Sequence, residues 1–552
     1  MYMCDTETVR RGDRMAVWLI DSCEIGTYEH IQHTDLSAWV EWALENSITC
    51  YFHNLRYDGA YIVDFLLREG YKYSDAKELG DGEFFVLVTD LNQWFKIIIN
   101  KGGKTVVIYD SLKKIPLSVR SIAKAYKMPM TKGEIDYKAE RPEGYTPTAE
   151  EIDYITRDTE IVARALKNHF DKGMTKISAP ADALEEFKHT CYFKKYFATD
   201  FYTKHREIDE FCRKAYFGGI SWVNPIVKDL IMLHGLVFDY NSMYSSVMLM
   251  YPMPLFEPRR FYNKPEKGWM YIARCYIDIT RQPGKPACIR DPLKKAWIED
   301  SFQGEIYLTS VDIENLEKCY YGSYKILDGY QWKGVAGIFE KYITQWRAVK
   351  ESSTGGERQI AKLMLNSLYG KFGTNPQKAK KKPMMIDGVV HWQTMEEEYT
   401  YSINVGVAAF ITAYARRELV NGILDIDGVF CYCDTDSIHM ASAYQDSTGK
   451  IAFEKAAAFH GKVDEKSFGA WKCEGRFVRA KYLRQKTYIE EHPDGRLSIA
   501  ACGCPDESRK YITFENFKIG ASYKGKLMQR TVKGGCELVE KRFTIREPIR
   551  SF

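Results

Sequence analysis

Pairs of carboxylates separated by a single residue occur at two places in the chain, one just before an apolar segment and the other between apolar flanks. Asp5 and Glu7 precede an apolar strand candidate at residues 16–20, and Asp434 and Asp436 lie between apolar flanks in VFCYCDTDSIHM. A spacing of two directs both side chains to one face of an extended strand. Burying an Asp-x-Asp pair without a cation would be very costly, so the second pair predicts metal ligation.

Two further carboxylates in the N-terminal third follow strand and helix signals. Asp58 lies where a predicted strand at residues 49–52 is followed by a predicted helix. Further along the chain, Thr148 and Glu151 form a capping box that predicts the start of a second helix. Tyr154 and Asp158 then share one face of that helix. Four converging carboxylates would repel each other strongly, so we expect two Mg²⁺ or Mn²⁺ ions that activate water for phosphodiester cleavage.

A third element near the centre of the chain supplies a carboxylate to the second pair. LVFDYNSMYSSVM places Asp239 at the end of a strand and Tyr244 in the turn that follows. With Asp434 and Asp436 it makes a three-carboxylate site. Metals held there would lower the pKa of a primer 3′-hydroxyl and hold a triphosphate for in-line attack.

Cations and aromatic rings recur between the two carboxylate elements. ERQIAKLMLNSLYGKFG predicts a helix in which Arg358, Lys362 and Asn366 recur every four residues and Tyr369 follows three later. The cations suit a triphosphate, and the ring suits a nascent base pair. Alone, this segment is equally typical of an amphipathic surface helix.

A basic and aromatic segment follows the Asp pair. RAKYLRQKTYIEE predicts a strand on which Lys486 and Tyr488 share one face. Both side chains could then contact a primer backbone.

Composition sets limits without identifying a function. With 552 residues, 45% of them hydrophobic, we expect two to four globular domains. A net charge of +4 is too small to indicate nucleic-acid binding, and the 14 scattered Cys support neither a zinc site nor a disulfide framework. The charged N-terminus argues against a signal peptide, and the uncharged runs are too polar for a membrane helix.

The order DYNSMYSS, KLMLNSLYGKFG, YCDTDS and KYLRQKTY, preceded by the three nuclease-type elements, resembles the protein-primed branch of the family B DNA polymerases. The resemblance implies a mixed α/β fold, with an RNase H-like 3′–5′ exonuclease domain followed by a right-hand polymerase domain. Its implied boundaries are the exonuclease at 1–184, palm at 185–250, 333–345 and 404–513, first insertion at 251–332, fingers at 346–373, second insertion at 374–403, and thumb at 514–552.

The same resemblance assigns roles to further residues. It implies that Lys132 and Tyr154 assist the exonuclease carboxylates and that Tyr244 excludes ribonucleotides by contact with the 2′-hydroxyl. The family usually has Pro after this Tyr, whereas Ser245 follows it here. The residues expected to contact DNA are Thr8, His53, Asn54, Tyr57, Ser111, Leu112 and Tyr137 in the exonuclease, and Tyr216, Gly218 and Gly219 in a linker between the activities.

The resemblance also implies partners and a setting. The first insertion would contact a terminal protein that serves as primer, and a hairpin in the second, turning at Asp387-Gly388, would enclose the template and permit strand displacement. We therefore expect a monomeric, phage-encoded, proofreading polymerase that uses Mg²⁺, with two ions per active site, in a bacterial cytoplasm. Its partners would be primed template DNA, dNTPs, the terminal protein and a single-stranded DNA-binding protein.

Three other functions fit parts of the pattern. The first is a compact family B polymerase primed by DNA, against which the insertions argue. The second is a non-catalytic single-stranded DNA-binding protein, for which the carboxylates would be dispensable. The third is a nuclease alone, which would have no use for Lys362 and Tyr369.

Overall fold

The computed structural model describes residues 1–133, 135–136, 139–191, 201–442 and 462–547. Its N-terminal lobe is built on an eight-stranded sheet ordered β3-β2-β1-β4-β8-β7-β6-β5. The strands are β1 (Tyr2–Arg11), β2 (Arg14–Glu24), β3 (His30–His33), β4 (Thr49–Phe52), β5 (Lys72–Tyr73), β6 (Glu83–Val88), β7 (Trp94–Lys101) and β8 (Lys104–Asp110). β1 pairs antiparallel with β2 and parallel with β4.

Four helices cover this sheet: α1 (Leu36–Glu45), α2 (Leu55–Arg68), α3 (Val119–Ala125) and α4 (Ala149–Asp171). The predicted capping box is present, because Thr148 and Glu151 exchange side-chain to backbone hydrogen bonds at the start of α4. One face of α4 packs on the sheet through residues such as Ile155 and Val162, which are fully buried.

Short helices connect the lobes: α5 (Ala179–Thr190), α6 (Phe201–Lys204) and α7 (Arg206–Arg213). The expected boundary at residue 184 lies inside α5. Leu184 and Phe187 of this helix pack in the core of the second lobe with Phe339 and Phe372.

The second lobe contains a seven-stranded antiparallel sheet ordered β25-β24-β23-β10-β22-β21-β9. Its strands are β9 (Ser221–Val223), β10 (Ile231–Tyr240), β21 (Val429–Asp434), β22 (Ser437–Ala441), β23 (Trp471–Arg484), β24 (Thr487–Glu491) and β25 (Leu497–Ala501). Helix α8 (Met243–Met250) follows β10, and the longer helix Val405–Leu424 is buried along most of its length. This sheet corresponds to the expected palm.

The expected first insertion forms a separate sheet ordered β12-β15-β13-β14. It consists of β12 (Arg259–Tyr262), β13 (Met270–Arg281), β14 (Ser301–Thr309), helix α9 (Ser310–Cys319) and β15 (Tyr320–Trp332). A short pair, β11 (Met253–Pro254) and β16 (Gly334–Val335), closes its base. The expected fingers follow as α10 (Glu340–Ser352), α11 (Gly355–Ser367) and α12 (Tyr369–Phe372).

The expected second insertion contains two nested strand pairs, β17 (Gln377–Lys378) with β20 (Glu398–Tyr399), and β18 (Lys381–Ile386) with β19 (Val389–Thr394). The predicted turn is confirmed, because Asp387 and Gly388 connect β18 to β19 with φ of 50° and 75°. The buried helix Val405–Leu424 is α13. Strands β21 to β25 follow it, and after them come α14 (Asp506–Arg509) and a hairpin of β26 (Ser522–Val532) and β27 (Gly535–Thr544), which corresponds to the expected thumb.

The tip of the C-terminal hairpin contacts the N-terminal lobe. The backbone N–H of Gly534 donates to Asp64, and the Tyr61 hydroxyl donates to the carbonyl of Cys536. Side chains of the second insertion, Val390 and Trp392, pack into the core of the same lobe. Among the described residues, no helix combines the length and apolar character needed to cross a membrane.

Candidate active sites

The four carboxylates predicted in the N-terminal third converge in the structure. Asp5 and Glu7 lie on β1, Asp58 in the first turn of α2, and Asp158 on α4. Glu7, Asp58 and Asp158 are buried, and Asp5 is half-buried. They meet because α4 packs on β1 and because the Thr6 hydroxyl of β1 donates to Asp58 in the first turn of α2 at 2.6 Å.

Electrostatics reflect this crowding. Burial and then the charges of Asp58, Glu7 and Asp158 raise the pKa of Asp5 well above its usual value. Burial raises the pKa of Glu7 to about 8 and that of Asp58 to about 7. Carboxylates that resist ionisation without a cation are suited to binding one.

Asp158 leaves one oxygen for a ligand. Its Oδ2 lies 2.7 Å from Nζ of Lys132, whereas its Oδ1 is buried without a hydrogen-bond partner. Lys132 Nζ also lies 5.7 Å from the ring centroid of Tyr154. These oxygen donors are of the type that binds divalent cations. In the present arrangement of the described residues, no three His, Cys, Asp or Glu side chains are placed closely enough to hold a metal ion together.

Most of the residues predicted to bind a DNA end are hydrogen-bonded to one another or to a shared acceptor. The hydroxyls of Thr8 and Tyr57 lie 2.7 Å apart, and His53 Nδ1 lies 2.9 Å from the Ser111 hydroxyl. The backbone N–H groups of Asn54 and Leu112 both donate to Asp110 Oδ1, a buried acceptor that the sequence did not single out. Tyr137 lies outside the described residues.

The second carboxylate site lies at one end of three neighbouring palm strands. Asp434 ends β21, Ser437 begins β22, and Thr435 in the turn has φ of 61°. Asp239 on β10 is paired with Ser437, and the N–H of Tyr240 donates to the Asp436 carbonyl at 2.7 Å. The predicted hairpin thus places Asp239 beside Asp436, and Ser437 of β22 lies between Asp239 and Asp434 in the sheet.

The polymerase-type carboxylates also resist ionisation. Burial, followed by the charges of Asp436 and Glu474, raises the pKa of Asp239 to about 7. Burial likewise raises the pKa of Asp436. A cavity of about 620 Å³ opens beside these groups and is also lined by Lys486 and Tyr488.

Lys486 occupies a different position from the one predicted. The segment expected to be one strand is a hairpin, because β23 ends at Arg484 and β24 begins at Thr487. Lys486 lies in the turn with φ of 53° and places Nζ 2.7 and 2.6 Å from the two oxygens of Asp434. No Gly or Pro marks this turn, so its sequence gave no signal for it.

The predicted fingers helix is interrupted. Arg358, Lys362 and Asn366 are exposed along α11, but that helix ends at Ser367 and Tyr369 begins α12. Sequence reasoning missed Lys350 on α10. Burial and then the charges of Arg358 and Lys362 lower the pKa of Lys350, which shows that the three cations are neighbours.

Lys350 links the cations to the segment after Asp239. Its Nζ donates to the Ser242 hydroxyl at 3.1 Å, and its carbonyl accepts from Arg358. Tyr244 lies in α8, not in the turn as predicted, because Ser242 with φ of 52° forms the turn. Ser245, which departs from the family pattern, is buried and donates to the carbonyl of Leu365 at 3.2 Å, so it ties α8 to α11.

The predicted linker residues adjoin the Asp434–Asp436 hairpin. A Cβ at Gly219 would lie 2.8 Å from Cγ2 of Thr435, and the N–H of Thr435 donates to Ile220 at 2.7 Å. The carbonyl of Gly218 accepts from Arg416 at 3.0 Å, and Gly373 lies directly against the Tyr216 ring. The backbone between the lobes therefore packs on the Asp434–Asp436 turn.

Comparison with known proteins gives consistent matches. Residues 43–148 and 138–452 match the family model described as DNA polymerase type B, organellar and viral. The chain is 36% identical to the DNA polymerase of Bacillus phage M2 and 35% identical to that of Bacillus phage phi29, over 99% of each chain. It is 30% identical to the DNA polymerase of Streptococcus phage Cp-1, covering 99% of this chain and 98% of the other.

Solved structures agree with this relationship. The ternary complex of phi29 DNA polymerase with primer-template DNA and incoming nucleotides superimposes with a TM-score of 0.87 at 32% identity, covering 99% of this chain and 100% of the other. The complex of the same polymerase with single-stranded DNA gives the same TM-score, identity and coverage.

Proposed function

The chain belongs to the organellar and viral type B DNA polymerases, and on that premise we propose that its two carboxylate clusters are separate polymerase and exonuclease centres. It is a DNA-directed DNA polymerase with the mixed α/β fold of the phi29 enzyme. One observation carries the proposal: the turn of Asp434 and Asp436 brings Asp436 beside Asp239, and Lys350 contacts Ser242 in the turn that follows Asp239.

In nucleotidyl transfer, Asp239, Asp434 and Asp436 would hold the divalent cations. Cations bound there would lower the pKa of the primer 3′-hydroxyl and offset the triphosphate charge. Lys486 must leave Asp434 for that carboxylate to bind a cation, because its ammonium now contacts both oxygens. The released ammonium is then free to contact a phosphate of the primer.

The cations on the fingers would bind the triphosphate. Lys350, Arg358 and Lys362 form one positive group, and Asn366 follows on the same face of α11. Tyr244 and Tyr369, whose rings are stacked, would lie under the sugar and base of the incoming nucleotide. The complex of phi29 DNA polymerase with incoming nucleotides supports this role by relationship.

In proofreading, Asp5, Glu7, Asp58 and Asp158 would hold the cations. Lys132 already pairs with Asp158 and would offset charge as the phosphodiester bond breaks. Tyr154 lies beside Lys132 and would orient the attacking water. The DNA end would be held by Thr8, His53, Asn54, Tyr57, Ser111, Leu112 and Tyr137, and passage between the sites would involve Tyr216, Gly218 and Gly219.

Membership of this family implies a divalent metal, and we propose Mg²⁺ with Mn²⁺ as a substitute. The expected domain boundaries are proposed with it, except that the first boundary lies before α5, because Leu184 and Phe187 of that helix pack in the core of the second lobe. The relatives are phage proteins, so the chain is proposed to be phage-encoded, to act as a monomer in a bacterial cytoplasm and to cooperate with a single-stranded DNA-binding protein.

Protein priming belongs to the same proposal. The sheet of the first insertion would contact a terminal protein, and the hairpin of β18 and β19 would enclose the template and permit strand displacement. The alternative is a polymerase of the same form that is primed only by DNA. The decisive experiment is co-expression with a candidate terminal protein and labelled dNTP: covalent transfer of dNMP to that protein supports protein priming, and extension of DNA primers alone contradicts it.

A further inference from the structure

The turn between the two long fingers helices rests on the N-terminal lobe. At the start of α11, Gly355 has φ of +60°, a conformation that favours glycine, and an added Cβ would lie 3.5 Å from the carbonyl of Tyr126. A Cβ at Gly356 would lie only 2.5 Å from Cδ1 of Tyr126 and 2.9 Å from Cε1. Gly356 thus allows the fingers backbone to lie directly on the Tyr126 ring, whereas Gly355 is favoured there by its backbone conformation.

Tyr126 cannot easily move away. It caps the end of α3, where its N–H donates to the carbonyl of Ile122, and its side chain is buried. Its hydroxyl lies 2.9 Å from Nε2 of His169, a buried residue of α4. Burial, then the charge of Lys114, lowers the pKa of His169 to about 3, so the ring stays neutral and the hydrogen bond persists at ordinary pH.

A second contact joins α11 to the same lobe. Lys172 Nζ, just beyond α4, lies 2.7 Å from Glu357 Oε1 on α11. Both side chains are about half exposed, so this pair alone contributes little. Between the lobes a cavity of about 220 Å³ is lined by Lys172, Glu186, Gln345, Trp346 and Glu357. Of these contacts, the one between Gly356 and Tyr126 is the tightest.

The contact lies at the end of α11 that carries the nucleotide-binding cations. Arg358 follows Gly356 by two residues, and Lys362 follows it by six. A helix is stiff over this length, so a displacement at its first turn moves both cations together relative to Lys350. We propose that Tyr126 of the exonuclease lobe is a positioning residue for nucleotide binding, because it sets the place of α11. This inference rests on the proposed role of Arg358 and Lys362.

The test adds a side chain at Gly356 on the fingers and, in a second step, removes the Tyr126 ring from the N-terminal lobe. Gly356→Ala and Gly356→Val would force α11 off the Tyr126 ring, and we expect the KM for dNTP to rise at least about fivefold with kcat within about twofold. Degradation of single strands should be unchanged. Gly80→Ala is the matched control, since a Cβ there meets only the flexible Glu83 side chain, at 3.3 Å.

Combining the Gly356 substitutions with Tyr126→Ala distinguishes a loss of helix positioning from a general loss of folding. If the ring is the obstacle, Gly356→Val should raise KM much less when Tyr126 is Ala, which a double-mutant cycle measures. Retained exonuclease activity and an unchanged Tm establish that each variant is folded, and the milder Gly356→Ala carries the test if Gly356→Val is unstable.

Lys362→Ala distinguishes this inference from the function on which it rests. A raised KM in Lys362→Ala with an unchanged KM in both Gly356 variants would overturn the positioning role alone. An unchanged KM in Lys362→Ala would overturn nucleotide binding by α11, and the positioning role with it. Equal effects of Gly356→Val with and without the Tyr126 ring would also overturn the proposal.

Discussion

The rings of Tyr244 and Tyr369 stack with their centroids 4.0 Å apart and their planes 17° from parallel. Tyr244 lies on the helix that follows Asp239, and Tyr369 lies just beyond the helix that carries Lys362. The pair therefore joins the carboxylate site to the helices that are proposed to bind the nucleotide. Burial and then the neighbouring Tyr369 raise the pKa of Tyr244, so its hydroxyl stays protonated.

Removing one ring of this stack should weaken sugar discrimination. In Tyr244→Val the space next to the nucleotide sugar is enlarged, so a 2′-hydroxyl no longer meets the ring. We expect the ratio of kcat/KM for dNTP to that for rNTP to fall on the order of 10²-fold, a size typical of steric selection in a pocket. Tyr244→Phe keeps the ring and should keep the ratio. An unchanged ratio in Tyr244→Val would contradict the role.

The two carboxylate clusters should be separable by mutation. Asp239→Ala or Asp436→Ala should lower extension of a primed template by about 10³-fold or more, because catalytic groups that act as a unit fail together. Degradation of single strands should persist. Asp5→Ala or Asp158→Ala should do the reverse.

The matched control for Asp158 lies on the same helix. Asp153 is exposed and pairs with Arg157 in the adjacent turn, so Asp153→Ala should leave both activities unchanged. Primer extension and release of labelled nucleotides measure the two activities on one preparation. Loss of both activities from every variant would refute the two-site description.

Lys350 should matter as much as the cations that the sequence indicated. Lys350→Ala removes one of three neighbouring charges and should raise the KM for dNTP on the order of 10- to 100-fold, since a hydrogen bond to a charged group contributes about 1.5–3 kcal/mol. Lys341→Ala, an exposed position on the same helix, is the control. A KM equal to that of the unmodified chain would show that Lys350 only supports the fold through Ser242.

Features that depend on neighbouring residues could be predicted from the sequence, whereas the position of Lys350 could not. The capping box of Thr148 and Glu151 and the turn at Asp387-Gly388 were predicted because each is specified by neighbouring residues. The Asp434–Asp436 hairpin followed from its spacing and its apolar flanks. Local patterns of this kind fix individual elements.

Contacts between segments that are far apart in the sequence could not be predicted, and the reason is physical. Lys350 approaches Ser242 across more than a hundred residues, and Lys486 approaches Asp434 only because an unmarked turn redirects the strand. The approach of Gly356 to Tyr126 depends on how two lobes pack. Tertiary packing determines such pairs, and no local pattern in the chain encodes it.

Stability of the N-terminal lobe should depend on the protonation of His30. Its Nδ1 lies 2.8 Å from buried Asp21, which also accepts from Gln32 and from Thr159 of α4. Burial alone would lower the pKa of His30, but the hydrogen bond and charge of Asp21 raise it overall. The stabilisation is therefore complete below the ordinary histidine pKa of about 6.5 and is lost as pH rises through the folded-state value.

The measurement is urea unfolding between pH 6 and 8. The unmodified chain should lose stability across this interval more steeply than His30→Gln, which cannot gain the proton. His189→Gln is the control, because that ring is largely exposed on α5. Equal slopes for the unmodified chain and His30→Gln would refute the contribution of this pair.

The second insertion should lose its docking when one indole is removed. Trp392 on β19 meets Trp94 of the N-terminal lobe edge to face at 5.0 Å, and next to them Asp90 donates its N–H to the carbonyl of Ala379. An aromatic pair of this kind contributes about 0.5–1.5 kcal/mol beyond its buried area. Its loss corresponds to about a twofold to tenfold fall in the population of docked hairpin.

Trp392→Ala should therefore shorten products on templates that require displacement of a downstream strand. Addition of the first nucleotide to a simple primed template should change little, because the hairpin lies apart from Asp239 and from the fingers cations. His391→Ala, one residue earlier on the exposed face of β19, is the matched control. Product lengths on gapped and nicked templates measure the difference. If Trp392→Ala shortened both sets of products equally, the hairpin would be acting on chemistry rather than on the path of the template.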